Sequence, residues 1–192
     1  MQRHVKFLGQ FLRNPKKVGA IAPSSPALAR VITSWVNLEE ADAVVEIGPG
    51  DGAFTPYIQR RLKPGAVFFA IEIEEKMCAR LRERYPGLTV YCGCASQASE
   101  FLRQHGVDKA DCIVSGLPWT LFSPRLQKTL LDATINALRP GGQFVTFAYL
   151  PGLLMRSGQL FRRRLKRSFS SVTQSRVVWR NLPPAFVYQC VK

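Results

Sequence analysis

The stretch Val44-Val45-Glu46-Ile47-Gly48-Pro49-Gly50-Asp51-Gly52 decides the fold. Its first half is a short apolar run, the pattern of a strand buried on both faces. Its second half spaces glycines as Glu46-x-Gly48-x-Gly50-x-Gly52. Glycines so placed let the backbone turn sharply and come close to a ligand. A helical pattern follows over 53–62, and its start offers free N–H groups to a carboxylate or phosphate.

Four more strand-like runs follow: 66–73, 88–92, 111–116 and 142–149. Helical patterns lie between them over 75–84, 97–104 and 124–138, the last stopped by Arg139-Pro140-Gly141-Gly142. Such alternation predicts a parallel sheet with helices on both faces. After residue 150 the pattern changes. A basic segment over 155–167 precedes two strand-like runs, 171–180 and 185–191, joined by Asn181-Leu182-Pro183-Pro184 and expected to pair antiparallel. Five alternating units closed by such a pair resemble the class I methyltransferase fold, an α/β, Rossmann-like sheet of seven strands.

The chain of 192 residues suffices for one domain with its own core, and no apolar run reaches the roughly 18 residues that span a bilayer. The N-terminus has a basic start but no apolar run before a small-residue cleavage site, so it does not read as a signal peptide. Five cysteines, an odd count, suggest reduced thiols in the cytosol. Cys92 and Cys94 find no second pair or nearby histidine to complete a zinc set, and no metal is expected. The net charge of +14 is uneven: residues 1–17 hold five basic residues and 151–192 hold nine, both without an acid, while the middle is balanced. Two basic ends on a neutral body suggest a polyanionic partner, RNA or an anionic membrane face.

The glycine spacing differs from the G-x-G-x-x-G of dinucleotide sites. Glu46 suits the amino group of a methionine moiety, and Glu72, ending the second strand-like run, suits both ribose hydroxyls. Together they favour S-adenosylmethionine, with S-adenosylhomocysteine as product, over a dinucleotide. Related enzymes often carry Asp where Cys94 stands, to bind the adenine amino group. Ala95 or Ser96 is expected to take over that contact.

GAIAPSS (19–25), EIGPGDG (46–52), SGLPW (115–119) and NLPPAFVY (181–188) together resemble the soluble, Rhizobium-type bacterial phospholipid N-methyltransferases. Those enzymes methylate phosphatidylethanolamine stepwise toward phosphatidylcholine. Ornithine-lipid N-methyltransferases share much of the pattern, and rRNA adenine dimethyltransferases are related. The resemblance implies cofactor contacts at Ser24, Ser25, Glu46, Gly48, Gly50, Glu72, Ile73, Ala95, Ser96 and Ser115. Ser24 and Ser25 can equally cap a helix starting near Pro26. Where nucleobase amine methylases carry Asn-Pro-Pro-Tyr or Asn-Leu-Pro-Tyr, this chain has Gly116-Leu117-Pro118-Trp119. Losing the amide but keeping an aromatic argues for an aliphatic cation over a nucleobase, since cation–π attraction is worth roughly 0.5–2 kcal/mol. Gly116, Leu117 and Trp119 are therefore the expected substrate contacts, although Trp119 also reads as a core aromatic beside a turn. Tyr149 and Tyr188 are the candidate catalytic residues, as hydrogen-bond acceptors with an aromatic face.

The family resemblance also implies a membrane-binding helix, and 1–17 has the pattern of one, ahead of a methyltransferase domain over 18–192. Met1, Val5, Phe7, Leu8, Phe11 and Leu12 fill an arc of roughly 160°, with Arg3, Lys6, Gln10 and Arg13 opposite and His4 the exception. The basic stretch 158–169 reads either as a solvated helix face or as a grip on lipid phosphates. The expectation is a monomer on the inner face of the cytoplasmic membrane, acting on a phospholipid at an anionic surface and not on nucleic acid.

Overall fold

Strand β1 (Ala43–Ile47) is buried at all five positions, and it forms the middle of one seven-stranded sheet. A computed structural model describes residues 24–192; the helix expected over 1–17 and the first five residues of GAIAPSS lie outside the described residues. The other strands are β2 (Val67–Glu72), β3 (Thr89–Cys92), β4 (Ala110–Ser115), β5 (Leu138–Tyr149), β6 (Ser171–Gln174) and β7 (Ala185–Val191). Their order is β3-β2-β1-β4-β5-β7-β6. The first five are mutually parallel, and β7 runs antiparallel to both β5 and β6. The expected sheet with its closing hairpin is thus formed.

Helices cover both faces. On one lie α1 (Pro26–Ser34), α2 (Thr55–Gln59) and α3 (Glu75–Arg84). On the other lie α4 (Ala98–Gln104), α5 (Pro124–Ala137) and α6 (Arg156–Ser168). Both α1 and α5 start on a serine N-cap followed by proline: Ser25 Oγ accepts from Leu28 N, and Ser123 Oγ from Leu126 N. The serine satisfies a donor that the first turn leaves open, and proline at N1 gives up an N–H that had no partner there. Alternation along each strand assigns side chains to faces. Val45 and Ile47 face α4–α6, while Val44 and Glu46 face α1 and α2.

Three boundaries differ from the sequence pattern. The turn at Gly141 lies inside β5, because Leu138 already pairs with Ala110 ahead of an irregularity in the β4 register. The run expected over 171–180 pairs only as far as Gln174. Ser175 then turns its hydroxyl to accept from Val187 N, and the chain leaves the sheet save for one bridge, Val178 to Ala185. Helix α2 is only Thr55–Gln59, so it begins after the glycine loop has ended.

Candidate functional site

In an open parallel sheet, ligands bind beyond the carboxyl ends of the strands, where neighbouring connections diverge. Here that point lies between β1 and β4. The turns leaving the strands are bound to one another by backbone: Gly48 N donates to Ile71 O at 2.9 Å, Gly93 N to Glu72 O at 2.8 Å and Gly116 N to Ile47 O at 2.9 Å. Gly48 has φ +65°, a conformation glycine adopts without strain. The space around Gly50 is open: a Cβ there meets nothing within 4 Å.

The Gly116 position has a structural cause. A Cβ on it lies 2.2 Å from the carbonyl oxygen of Gly48. No side chain fits without moving the glycine loop, so the missing Asn is explained by backbone packing before any preference for a substrate. Leu117 is 4 % exposed and covers the same loop; a Cβ on Gly48 meets its Cδ2 at 2.4 Å.

Glu46 and Glu72 border the loop from below. Glu46 is fully buried, and its Oε2 accepts from Thr55 Oγ1 at 2.7 Å. Burial pushes its carboxyl up to about 8, and the Glu72 and Asp51 charges add to that shift against the Thr55 bond. Oε1 is the one buried side-chain oxygen or nitrogen among the described residues that lacks a partner. An unpaired acceptor beneath a glycine loop fits a cationic amino group, the role expected from the sequence. The Glu72 carboxylate accepts from three backbone groups: Gly50 N at 3.0 Å, Ile73 N at 2.7 Å and Glu74 N at 3.0 Å. A carboxylate offers about four acceptor positions. Glu72 therefore organises the loop first, and both ribose hydroxyls cannot be accepted without displacing one of these donors. Ile73 is half-buried beside it.

Across the β3 turn, the Cys94 thiol accepts from Gln97 N, and Gln97 Oε1 accepts from Cys94 N at 3.0 Å. The sulfur is thus engaged in a local cap. Ala95 is buried behind it and Ser96 is half-exposed. Ser25, besides capping α1, donates its N–H to Asn181 Oδ1 at 2.9 Å, and Asn181 Nδ2 donates to Pro183 O at 2.8 Å. The motif ending at Ser25 and the motif beginning at Asn181 are therefore joined. Ser24 is half-buried next to this joint.

Trp119, Ser115 and Tyr188 are engaged in packing or turn contacts, and Tyr149 stands apart from Tyr188. Trp119 is 1 % exposed, with one face stacked on Phe161 at 4.9 Å and edge contacts to Phe122 and Phe144. Its Nε1 donates to Ser115 Oγ at 3.0 Å. It is a core anchor for the turn and offers no open aromatic face. Ser115 Oγ accepts from Leu117 N as well, so this hydroxyl shapes the turn. Tyr188 is 2 % exposed among Phe161 and Phe186, on the α4–α6 face of the sheet, whereas Tyr149 packs against Phe147 on the α1–α3 face. Alternation along β5 and β7 separates them, so they cannot act on one amine together. Burial pushes the Tyr149 phenol up to about 12 and raises that of Tyr188, which leaves both protonated at neutral pH.

The sequence patterns assigned no site role to Thr55, Asn181 or Gln127. Gln127 is completely buried; its Nε2 donates to Trp119 O at 2.7 Å and Ser157 O at 3.1 Å, and its Oε1 accepts from Arg164 Nη1 at 3.0 Å. It ties the β4 turn to the start of α6. A signal existed: Gln127, Leu130, Leu131 and Thr134 form one helical stripe, and an amide within such a stripe needs buried partners.

Apolar side chains stand exposed past β5 and before β7, at the same end of the sheet. Leu154 and Met155, just past β5, are 86 % and 43 % exposed; Trp179 and Leu182, just before β7, are 72 % and 76 % exposed. Helix α6 buries Phe161 and Leu165 and presents Arg162, Arg163, Lys166 and Arg167 to solvent. No helix among the described residues is long and apolar enough to cross a membrane, and no cluster of three or more His, Cys, Asp or Glu among them can hold a metal ion.

Known proteins match this architecture. The family described as a methyltransferase domain matches residues 44–142. An ornithine lipid N-methyltransferase of Singulisphaera acidiphila is 33 % identical over 189 residues, covering 96 % of this chain and 93 % of that enzyme. Ribosomal RNA small subunit methyltransferase A of Thermotoga petrophila is 31 % identical over 115 residues, which is 60 % of this chain and 42 % of the relative. An O-methyltransferase of Bacillus cereus, solved in complex with S-adenosylhomocysteine, superposes with a TM-score of 0.67 at 17 % identity, over 99 % of this chain and 91 % of that one.

Proposed function

We propose, from the premise that this chain belongs to the S-adenosylmethionine-dependent methyltransferase-domain family, that it methylates the primary amine of a membrane lipid headgroup. The observation that carries this reading is the likeness to an ornithine lipid N-methyltransferase along nearly the whole chain. Ornithine lipid is therefore the first candidate. Phosphatidylethanolamine is the second, supported by the motifs GAIAPSS, SGLPW and NLPPAFVY. The exposed Leu154, Met155, Trp179 and Leu182 add support, because exposed apolar side chains suit a surface that meets a bilayer.

Bound S-adenosylmethionine supplies the methyl group and a positive sulfonium. The chain's own residues hold and orient. Gly48 and Gly50 give backbone access, Glu46 Oε1 is an acceptor for the methionine amino group, and Glu72 fixes the loop and borders the ribose. An alkyl ammonium with a pKa near 10 must lose its proton before it attacks, at a cost of roughly 4 kcal/mol at neutral pH. A dry site beside another positive charge lowers that pKa. Tyr149, held neutral by burial, can accept a hydrogen bond from the amine but is no strong base. Positioning thus supplies most of the rate.

Methyl-labelled S-adenosylmethionine with mixed liposomes of ornithine lipid, phosphatidylethanolamine and phosphatidylglycerol, run beside ribosomal RNA, tests the reading. Label in one lipid spot names the headgroup; label in RNA alone overturns the proposal. For the N-terminal helix, removal of residues 1–14 is expected to weaken co-sedimentation with anionic liposomes strongly while cofactor affinity stays at the full-length value. Unchanged co-sedimentation sinks that role.

A further inference from the structure

Beside the site, on the outer edge of the sheet, a groove of about 690 Å³ runs between α1 and the segment that follows β6. Its wall includes Val31, Trp35 and Trp179, and three arginines, Arg30, Arg176 and Arg180, border it. No acid lines it, and among the described residues none of these arginines is paired with a carboxylate. All three are exposed. One end lies at Trp35, whose carbonyl accepts from Gln189 Nε2 in the middle of β7. The other end reaches Arg180, next to the Asn181 joint at the cofactor end. Trp179 is 72 % exposed there, and Leu182, two residues past Arg180, is 76 % exposed.

We infer that this groove docks an anionic phospholipid of the membrane that holds the substrate, a step that rests on the lipid reading above. The volume lies within the range of ligand-sized clefts. An apolar wall rimmed by unpaired guanidinium groups matches a molecule with an acyl chain and a phosphate, because arginine binds phosphate through paired N–H bonds. Exposed tryptophan and leucine at one lip suit the bilayer interface, where an amphipathic ring sits between chains and headgroups. The chain's own N-terminus is a poor occupant, since residues 1–17 carry five basic residues and no acid. A second copy is poor for the same reason, at a net charge of +14.

The test uses the full chain with vesicles of phosphatidylcholine alone, of phosphatidylcholine with phosphatidylglycerol, and of phosphatidylglycerol brominated in its acyl chains. Each basic residue near an anionic surface contributes about 1 kcal/mol, so R30Q/R176Q/R180Q is expected to bind phosphatidylglycerol vesicles roughly 100-fold more weakly. Its S-adenosylhomocysteine affinity and melting temperature are expected to match wild type, which shows an intact fold. Brominated chains are expected to quench tryptophan fluorescence in wild type and distinctly less in W179F. Equal partition of wild type and the triple variant overturns the inference, as does an absence of quenching. So does RNA binding that needs the three arginines without quenching, which assigns the groove to another polyanion. Phosphatidylglycerol carries no amine, so binding is read without turnover. A failure to methylate any lipid would remove the functional reading and leave this binding result standing.

Discussion

Two regions at one end of the same sheet are built on opposite terms. Around β1, β2, β3 and β4 the turns are held backbone to backbone, through Gly48, Gly93 and Gly116, and the side chains beneath are buried. Past β5 and before β7, Leu154, Met155, Trp179 and Leu182 stand in solvent among arginines, with no acid from residue 151 onward. The first region is fixed by contacts that tolerate almost no added atom. The second is a surface whose composition can change without disturbing the fold.

The sharpest way to break this contrast is Gly116→Asn, which restores the residue that nucleobase methylases carry. Its Cβ would lie 2.2 Å from a backbone oxygen of the glycine loop. Overpacking of a rigid contact costs about 1–3 kcal/mol, and the loop itself must move. At least a 100-fold loss of S-adenosylhomocysteine affinity by calorimetry is expected, with a lower melting temperature. Wild-type affinity in this variant refutes the close approach and returns Gly116 to a role in substrate choice.

Glu46 gives the next largest effect, and it depends on pH. A carboxyl whose folded pKa is raised from 4.5 to about 8 favours folding when protonated, so that contribution is full below the unfolded value and is lost as pH rises through about 8. At about 1.4 kcal/mol per pKa unit, cofactor-free protein loses several kcal/mol relative to E46Q between pH 5 and 8. Gln can still accept from Thr55 Oγ1 but does not ionise. Urea titrations of both proteins across this window measure the difference. A pH-independent gap would mean that the carboxyl is not held neutral. The same substitution is expected to weaken S-adenosylhomocysteine binding, since it replaces the unpaired acceptor.

Gln127→Leu probes the link between the regions. It leaves Trp119 O, Ser157 O and Arg164 without their amide partner. Each buried group left unpaired costs about 1–3 kcal/mol, so a fall in melting temperature of several degrees is expected. Cofactor affinity should change little, because the glycine loop does not use this amide; the KM for lipid should rise. Equal losses in both would show that the two regions are one mechanical unit.

The sequence carried the fold because strand burial, glycine spacing and proline caps are local signals. AVVEI, EKMCARLRER and AFVYQCV form the elements their patterns predict, within a residue at either end. It also placed Glu46 and Glu72 at the ends of adjacent strands. What it lacked is the geometry set by residues far apart in the chain. Trp119 read both as an open aromatic and as a core one, because its partner Phe161 lies 42 positions away in sequence, on α6. Gly116 looked like a lost amide because the oxygen that excludes a side chain belongs to Gly48. The joint between Ser25 and Asn181 spans 156 positions, which no local pattern encodes.

The smallest expected effect separates the two faces of the sheet. Tyr188 lies among Phe161 and Phe186, and its face is that of the α6 core. Tyr149 lies at the carboxyl end of β5, half-buried beside Phe147, on the face that also holds Glu46. Removing one hydroxyl by Tyr188→Phe keeps the ring and its packing, so turnover should change by less than about twofold and stability by no more than about 1 kcal/mol. Tyr149→Phe should lower kcat by roughly tenfold, the value of one hydrogen bond of about 1.4 kcal/mol made to the reacting amine, with S-adenosylhomocysteine affinity unchanged. A loss confined to Tyr188→Phe would put the reacting amine on the α6 side and overturn the assignment of faces. Equal and small effects in both would leave orientation of the amine to the backbone of the β4 turn, where Gly116 and Leu117 lie against the glycine loop.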